Sequence, residues 1–239
     1  MVRRKDRLAW DLPLVGLRRL STVDFPGRLC FDTLVWGCNY RCPGCPSPEL
    51  VQDPQSHPRI DPAEVIDLYL PRRRFLDGVS VSGGEPLLHR GLASFLGELR
   101  RAGAQIRLKT NASRLKAVKI MVDRRLVDWY TIFLPAPLDR LETVARRRVN
   151  QGELSRAIQL IRRSGAFHEF RVRPYKGLLG LEELKEVSKS LAGAPLLVIE
   201  ADSEVRKGGF SDSELEEMRR ASEPYFHRVA LTTTPACGL

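Results

Sequence analysis

Apolar positions along the chain switch repeatedly between two spacings. Runs rich in β-branched and aromatic residues at 29–36, 78–81, 105–110, 128–134, 167–174 and 195–199 predict six strands. Between them the apolar residues recur at helical intervals. Leu92, Phe95, Leu96 and Leu99 stand at i, i+3, i+4 and i+7 and predict a helix that Gly103 stops. Asp61 followed by Pro62 reads as an N-cap and first helical position, with Val65, Leu68 and Tyr69 as the apolar stripe. Further helices are predicted over 115–124, 141–145, 154–161 and 181–191. Ser211 and Glu214 are spaced as a capping box for a last helix, and 225–231 reads as a final strand. Residues 1–28 are basic and turn-rich and end in Val23-Asp-Phe-Pro-Gly27, while 51–60 form a Pro-rich loop.

Strands that alternate with helices in this way imply parallel βαβ units. Six units are too few to close an eightfold barrel, so the expected fold is α/β, an incomplete (β/α)6 barrel of parallel strands or an open sheet. One domain over 1–239 is expected, with 1–28 as an N-terminal extension and 200–239 as a C-terminal one. Loops that follow the strands then gather at one end, where ligands bind.

Composition alters this picture in three ways. Lys and Arg total 39 against 29 Asp and Glu, a net charge of +10, with small clusters such as Arg72-Arg73-Arg74 and Arg146-Arg147-Arg148. Most clusters lie in helical stretches among acidic residues, which favours solvated faces over a nucleic-acid surface. No apolar run approaches the ~18 residues that span a bilayer, and the basic start lacks the apolar stretch of a signal peptide. No membrane association and a cytoplasmic location are therefore expected. Lastly, three of the five cysteines crowd into eight residues, which in a cytosolic protein suggests a metal site rather than a disulfide framework.

Those three form Cys38-Asn-Tyr-Arg-Cys42-Pro-Gly-Cys45, a C-x3-C-x2-C array just after the first predicted strand. Thiolates suit iron–sulfur clusters, zinc or copper(I). Structural zinc wants four ligands, and the nearest histidine, His57, is twelve residues away in the Pro-rich loop. Three thiolates on a cubane would leave one iron open for substrate. Zinc stays as the alternative on these residues alone. Cys30 reads as core and Cys237 as an idle tail residue; the four histidines show no ligand spacing.

Two further segments follow predicted strands. Ser82-Gly83-Gly84-Glu85-Pro86 pairs backbone room with a carboxylate, and Lys109-Thr110-Asn111 is polar. The cysteine spacing together with Gly83-Gly84-Glu85-Pro86 resembles the radical S-adenosylmethionine (SAM) superfamily. Ser21–Gly27 with Trp36–Cys45 is similar to the activating proteins of anaerobic ribonucleotide reductases and other glycyl radical enzymes.

That resemblance implies a [4Fe–4S] cluster on Cys38, Cys42 and Cys45 with one open iron. It implies SAM against Ser82, Gly83, Gly84, Glu85, Pro86, Lys109, Thr110, Asn111 and Arg171, the last from a Glu169-x-Arg171 stretch. In some activases, aspartates bind a monovalent cation beside SAM. Lys109 replaces one of them here, so its ammonium is expected to supply that charge, and Ala112 replaces a family glycine. The implied activity is reductive cleavage of SAM to a 5′-deoxyadenosyl radical. The radical would then activate a glycyl radical enzyme such as anaerobic ribonucleoside-triphosphate reductase, with flavodoxin or ferredoxin as electron donor. A radical SAM enzyme acting on a small molecule or RNA, and a non-enzymatic iron–sulfur or zinc module, are the alternatives.

Overall fold

The computed structural model describes residues 10–53, 57–202 and 209–234. Eight strands form one sheet in sequential order: β1 (Leu14–Ser21), β2 (Cys30–Val35), β3 (Gly78–Gly83), β4 (Gln105–Thr110), β5 (Trp129–Phe133), β6 (Phe167–Val172), β7 (Ala194–Asp202) and β8 (Phe226–Thr234). β2 to β8 run parallel, and β1 pairs antiparallel with β2. The sheet stays open between its edges β1 and β8 among the described residues. An incomplete parallel barrel is thus the architecture, with the predicted final strand adding a seventh parallel member.

Residues 14–21 correct the expectation for the N-terminal segment, because they are a strand and not a turn-rich extension. Leu14 and Val15 are buried, whereas Arg18, Arg19 and Leu20 face solvent. An edge strand needs little apolar surface and tolerates charge, which removes the alternation that marks central strands.

Helices cover the outer face of the sheet. The helix Leu92–Arg101 buries Leu92, Phe95, Leu96 and Leu99, and Gly103 follows it at φ +94°. Asp61 caps Pro62–Tyr69 by accepting from the Ala63 amide at 2.9 Å. Ser211 and Glu214 complete a reciprocal capping box at the start of Asp212–Ser222. Outward strand residues such as Phe31, Val79, Leu108, Ile132 and Phe170 join these helices in one apolar core. At about 25 cal/mol per Å² of apolar area, that burial is the main force holding the layers together. No helix among the described residues is long and apolar enough to cross a membrane.

The inward face is different. Parallel register aligns Asp32 with Ser80 and Ser80 with Arg107; Lys109 aligns with Thr131 and Thr131 with Glu169. Polar and charged side chains therefore stand in rows across the concave side. A packed small barrel would be filled with branched apolar residues. Here the interior is crossed by paired charges instead and leaves a cavity.

Candidate functional site

A cavity of about 700 Å³ occupies the concave side, at the ends where β2, β3 and β4 finish. Cys38, Cys42 and Cys45 line it, as do Ser82 to Glu85, Lys109 to Asn111, and Arg171. Pro86 is buried but outside the lining, where it opens a short 3-10 turn over Pro86–Leu88. Parallel strands delivered segments that are far apart in sequence to one end, as the alternation predicted.

The cysteine loop is knitted to the Gly83-Gly84 turn through backbone. The Gly84 amide donates to the Val35 carbonyl at 2.8 Å, and the Glu85 amide to the Gly37 carbonyl at 2.7 Å. A Cβ on Gly84 would stand 1.9 Å from the Gly37 oxygen, and one on Gly83 would stand 2.4 Å from the Val35 oxygen. Both glycines are needed so that two backbone segments can touch. The Gly37 amide in turn donates to Leu50 at 2.8 Å, fixing the residue just before Cys38.

Glu85 is 1% exposed and its carboxylate is fully engaged. Oε1 accepts from the Leu87 amide at 3.0 Å and the Thr110 hydroxyl at 2.6 Å, and Oε2 accepts from the Asn111 amide at 2.7 Å. Burial pushes its pKa up to about 7 against the pull of those three donors. Glu85 thus ties β3 to the end of β4. Asn111 extends the tie, since its Nδ2 donates to Asn39 Oδ1 at 3.0 Å within the cysteine loop. The next residue, Ala112, is fully buried and sits at φ +55°, a left-handed conformation that glycine adopts at less cost.

The three thiols are unbridged and half-buried. Burial, and for Cys42 the neighbouring Cys38 and Cys45, pushes Cys38 up to about 11 and Cys42 up to about 12, and raises Cys45 as well. The Tyr40 amide donates to Cys38 Sγ at 3.3 Å. Arg41 spans its own loop, donating to the Cys38 carbonyl at 2.6 Å and the Tyr40 carbonyl at 2.8 Å. Cys30 is fully buried in β2 and absent from the cavity lining. Cys237 lies outside the described residues. His89 is a brace, its Nε2 lying 2.8 Å from the Trp36 carbonyl.

Below the loop runs a chain of ion pairs that sequence reading did not assemble. Lys109 Nζ lies 2.7 Å from Asp24 and 3.9 Å from Asp32. Burial alone would raise Asp24, but Lys109, Ser21 and Arg18 bring it down to about 2, while burial pushes Asp32 up. Ser82 donates to Asp32 at 3.4 Å. Arg107, fully buried, donates to the Asp24 carbonyl and pairs with Glu169, itself fully buried. Glu169 also meets Arg171 at 2.7 Å; Arg171 reaches Glu200, and Glu200 meets Arg173 at 3.1 Å. Burial opposes ionisation of Glu169, yet Arg107 and Arg171 hold its pKa below the usual range. The one available signal was parity. Arg107 with Lys109 in β4, and Glu169 with Arg171 in β6 and Arg173 just after it, fall on alternate positions.

The donor set fits the groups that the sequence implies. Three free thiols face one cavity. No further Cys and no His belongs to the cavity lining among the described residues. A donor set of three thiolates suits an iron–sulfur cluster with one open iron better than a four-ligand structural zinc. Gly83 and Gly84 line the same cavity, and the buried Glu169 Oε2 on its wall has no hydrogen-bond partner, so it is free to accept from a ligand hydroxyl or ammonium.

Comparison with known proteins agrees. The family model of the Radical SAM superfamily matches residues 35–189. A Methanocaldococcus jannaschii protein, provisionally named a glycyl-radical enzyme activating enzyme, is 21% identical over 232 residues, covering 91% of this chain and 95% of that protein. The pyruvate formate-lyase-activating enzyme of Staphylococcus aureus is 35% identical over 106 residues, 41% of each chain. Among solved structures, Streptococcus suis SuiB bound to SAM superposes with a TM-score of 0.64 at 14% identity, over 83% of this chain. The chain spans about half the length of that structure, 48%.

Proposed function

Because the chain belongs to the radical SAM superfamily and is a radical SAM enzyme using a [4Fe–4S] cluster and SAM, we propose that it activates a glycyl radical enzyme. The observation that carries this reading is similarity along nearly the whole of both chains to the M. jannaschii protein named for that role. The open side of the sheet supports it. The cavity continues past the cysteine loop to Val23 and Pro26 near β1 and to Arg228 and Ala230 on β8, the two edges that do not pair. A loop of a protein substrate has a lateral way in.

In this reading Cys38, Cys42 and Cys45 hold the cluster and leave one iron for SAM. Bound together, cluster and SAM supply one-electron cleavage of the sulfonium to methionine and a 5′-deoxyadenosyl radical. The chain's own work is placement and exclusion of water. Gly83 and Gly84 let the SAM amino acid end approach backbone, while Thr110, Asn111 and Arg171 face it from β4 and β6. Lys109 acts through its partners. With Arg18, its ammonium offsets the charge of Asp24 and Asp32, which would otherwise repel the SAM carboxylate. Glu85 holds β4 to β3 so that these groups keep their spacing. The reading places the enzyme in the cytoplasm, with a reduced flavodoxin or ferredoxin as donor.

Anaerobically reconstituted protein with SAM and reductant should give 5′-deoxyadenosine. Addition of a candidate glycyl radical enzyme should give the doublet electron paramagnetic resonance (EPR) signal of a glycyl radical. Cys45→Ala should abolish both. Turnover of a small molecule or RNA, with no glycyl radical from any candidate partner, would refute the activase role and leave the superfamily chemistry intact.

A further inference from the structure

The ion-pair chain ends at a place that no cofactor motif explains. Arg173 lies just beyond β6, with the same parity as Glu169 and Arg171, so it faces inward. Its Nη1 donates to the Gly44 carbonyl at 3.1 Å, between Cys42 and Cys45, and its Nη2 meets Glu200 Oε2 at 3.1 Å. The Tyr175 ring lies 3.2 Å from where a Gly44 Cβ would stand, and Gly44 is at φ +69°. Residues 173–175 therefore clamp the Pro43-Gly44 turn against the β6 side of the sheet. Gly37 fixes the same loop from the β2 and β3 side.

The charge carried by this clamp matters as much as its contacts. Arg107, Arg171 and Arg173 pair with Glu169 and Glu200, and Lys109 with Asp24 and Asp32, so four cations of this row face four carboxylates. Of the four cations Arg173 is the one bonded to the cysteine loop, through the Gly44 carbonyl. Its side chain is only 12% exposed, so water screens its charge weakly. One-electron reduction makes a cluster more negative, and a nearby cation stabilises the reduced form.

We propose that Arg173 is a positioning residue of the cysteine loop whose charge, set against that loop, raises the reduction potential of the cluster held there. This rests on the proposed assignment of Cys38, Cys42 and Cys45 to the cluster. It explains why a third inward arginine continues the Glu169-x-Arg171 alternation and why the turn it grips contains glycine.

The test is an EPR-monitored redox titration of reconstituted protein without SAM. At a fixed poise, Arg173→Gln should hold about tenfold less reduced cluster than wild type, the order of magnitude for one weakly screened charge. That ratio is a shift of about 59 mV to more negative potential for one electron. Arg173→Lys, which keeps the charge, should restore most of the ratio. Glu200→Gln, which removes the carboxylate that offsets Arg173, should shift the potential the opposite way. Variants that load iron as wild type does and titrate at the wild-type midpoint would overturn the inference, as would shifts of one sign in Arg173→Gln and Glu200→Gln. If Arg173→Gln takes up no iron, Glu200→Gln decides alone, and the absence of a positive shift overturns the inference. Wild-type protein that assembles no cluster would instead overturn the cysteine-loop assignment, and this inference with it.

Discussion

Replacing Gly84 by alanine adds one methyl group where two backbones touch. The new Cβ would lie 1.9 Å from the Gly37 oxygen, 2.6 Å from its carbon and 3.0 Å from its nitrogen, all of them backbone atoms that no side-chain rotation can move. Gly84 is not in the left-handed region, so the cost is contact and not torsion. Bringing the nearest contact out to 3.0 Å needs a displacement of about 1 Å, enough to weaken the Glu85 amide bond to Gly37 and the Gly37 amide bond to Leu50. One lost hydrogen bond costs about 1 kcal/mol, and overpacking adds about 1–3 kcal/mol. The expected destabilisation is about 2–4 kcal/mol, within what a typical domain survives. Cys38 follows Gly37 directly, so the thiol should move with it. A misplacement of about 1 Å near reacting groups can cost about 100-fold in rate. Urea unfolding of the apoprotein measures the first effect; iron per chain and the initial rate of 5′-deoxyadenosine formation measure the second. Gly97→Ala is the control. Its Cβ would meet only Arg101 Nη1 at 3.9 Å, so helix propensity should stabilise the protein by about 0.5–1 kcal/mol. A Gly84→Ala protein within about 0.5 kcal/mol of wild type, with full iron and an unchanged rate, would refute the contact argument.

Three other perturbations probe the polar interior. Arg107→Met strands part of the fully buried Glu169 charge and should cost about 3–5 kcal/mol in urea unfolding, much of it regained in Arg107→Met/Glu169→Gln; a loss under 1 kcal/mol would mean the pair is not buried as described. Asp24 is lowered from 3.8 to about 2 in the fold. The unfolded chain then holds the proton more tightly, so ionised Asp24 adds stability above about pH 4 that is lost as pH falls toward 2. After allowance for partial solvent screening this is about 1–2 kcal/mol, and Asp24→Asn should flatten that part of the melting-temperature profile. Lys109→Ala leaves Asp24 with Arg18 alone and takes the nearby ammonium from Asp32, and should raise the SAM dissociation constant of reconstituted protein about tenfold by calorimetry; an unchanged constant would rule out its offsetting role.

Much of the fold was legible because the chemistry of parallel strands is local and periodic. A strand covered by helices shows an apolar run, the next helix shows a stripe, and the loop after each strand carries the polar motif. That logic located every parallel strand and placed Cys38–Cys45, Ser82–Glu85 and Lys109–Asn111 at one end. β1 escaped it, since an edge strand carrying Arg18 and Arg19 lacks the periodic signature. Lys109 was recognisable as an unusual residue, but its partners were not. Asp24 is 85 positions away, and Asp32 lies two strands over.

Residue types at fixed short spacings were enough to determine the thiol array, the glycine turn and the alternation of elements, because each depends on neighbours within a few positions. Only the tertiary structure decided which charges meet. Register across the sheet turned isolated Arg, Lys, Asp and Glu residues into one buried chain, spent the Glu85 carboxylate on holding β4, and set Arg173 against Gly44 from the far side of the cavity. Coulombic attraction and desolvation depend on distance in space, and distances in space between strands are not written at any single place in the chain.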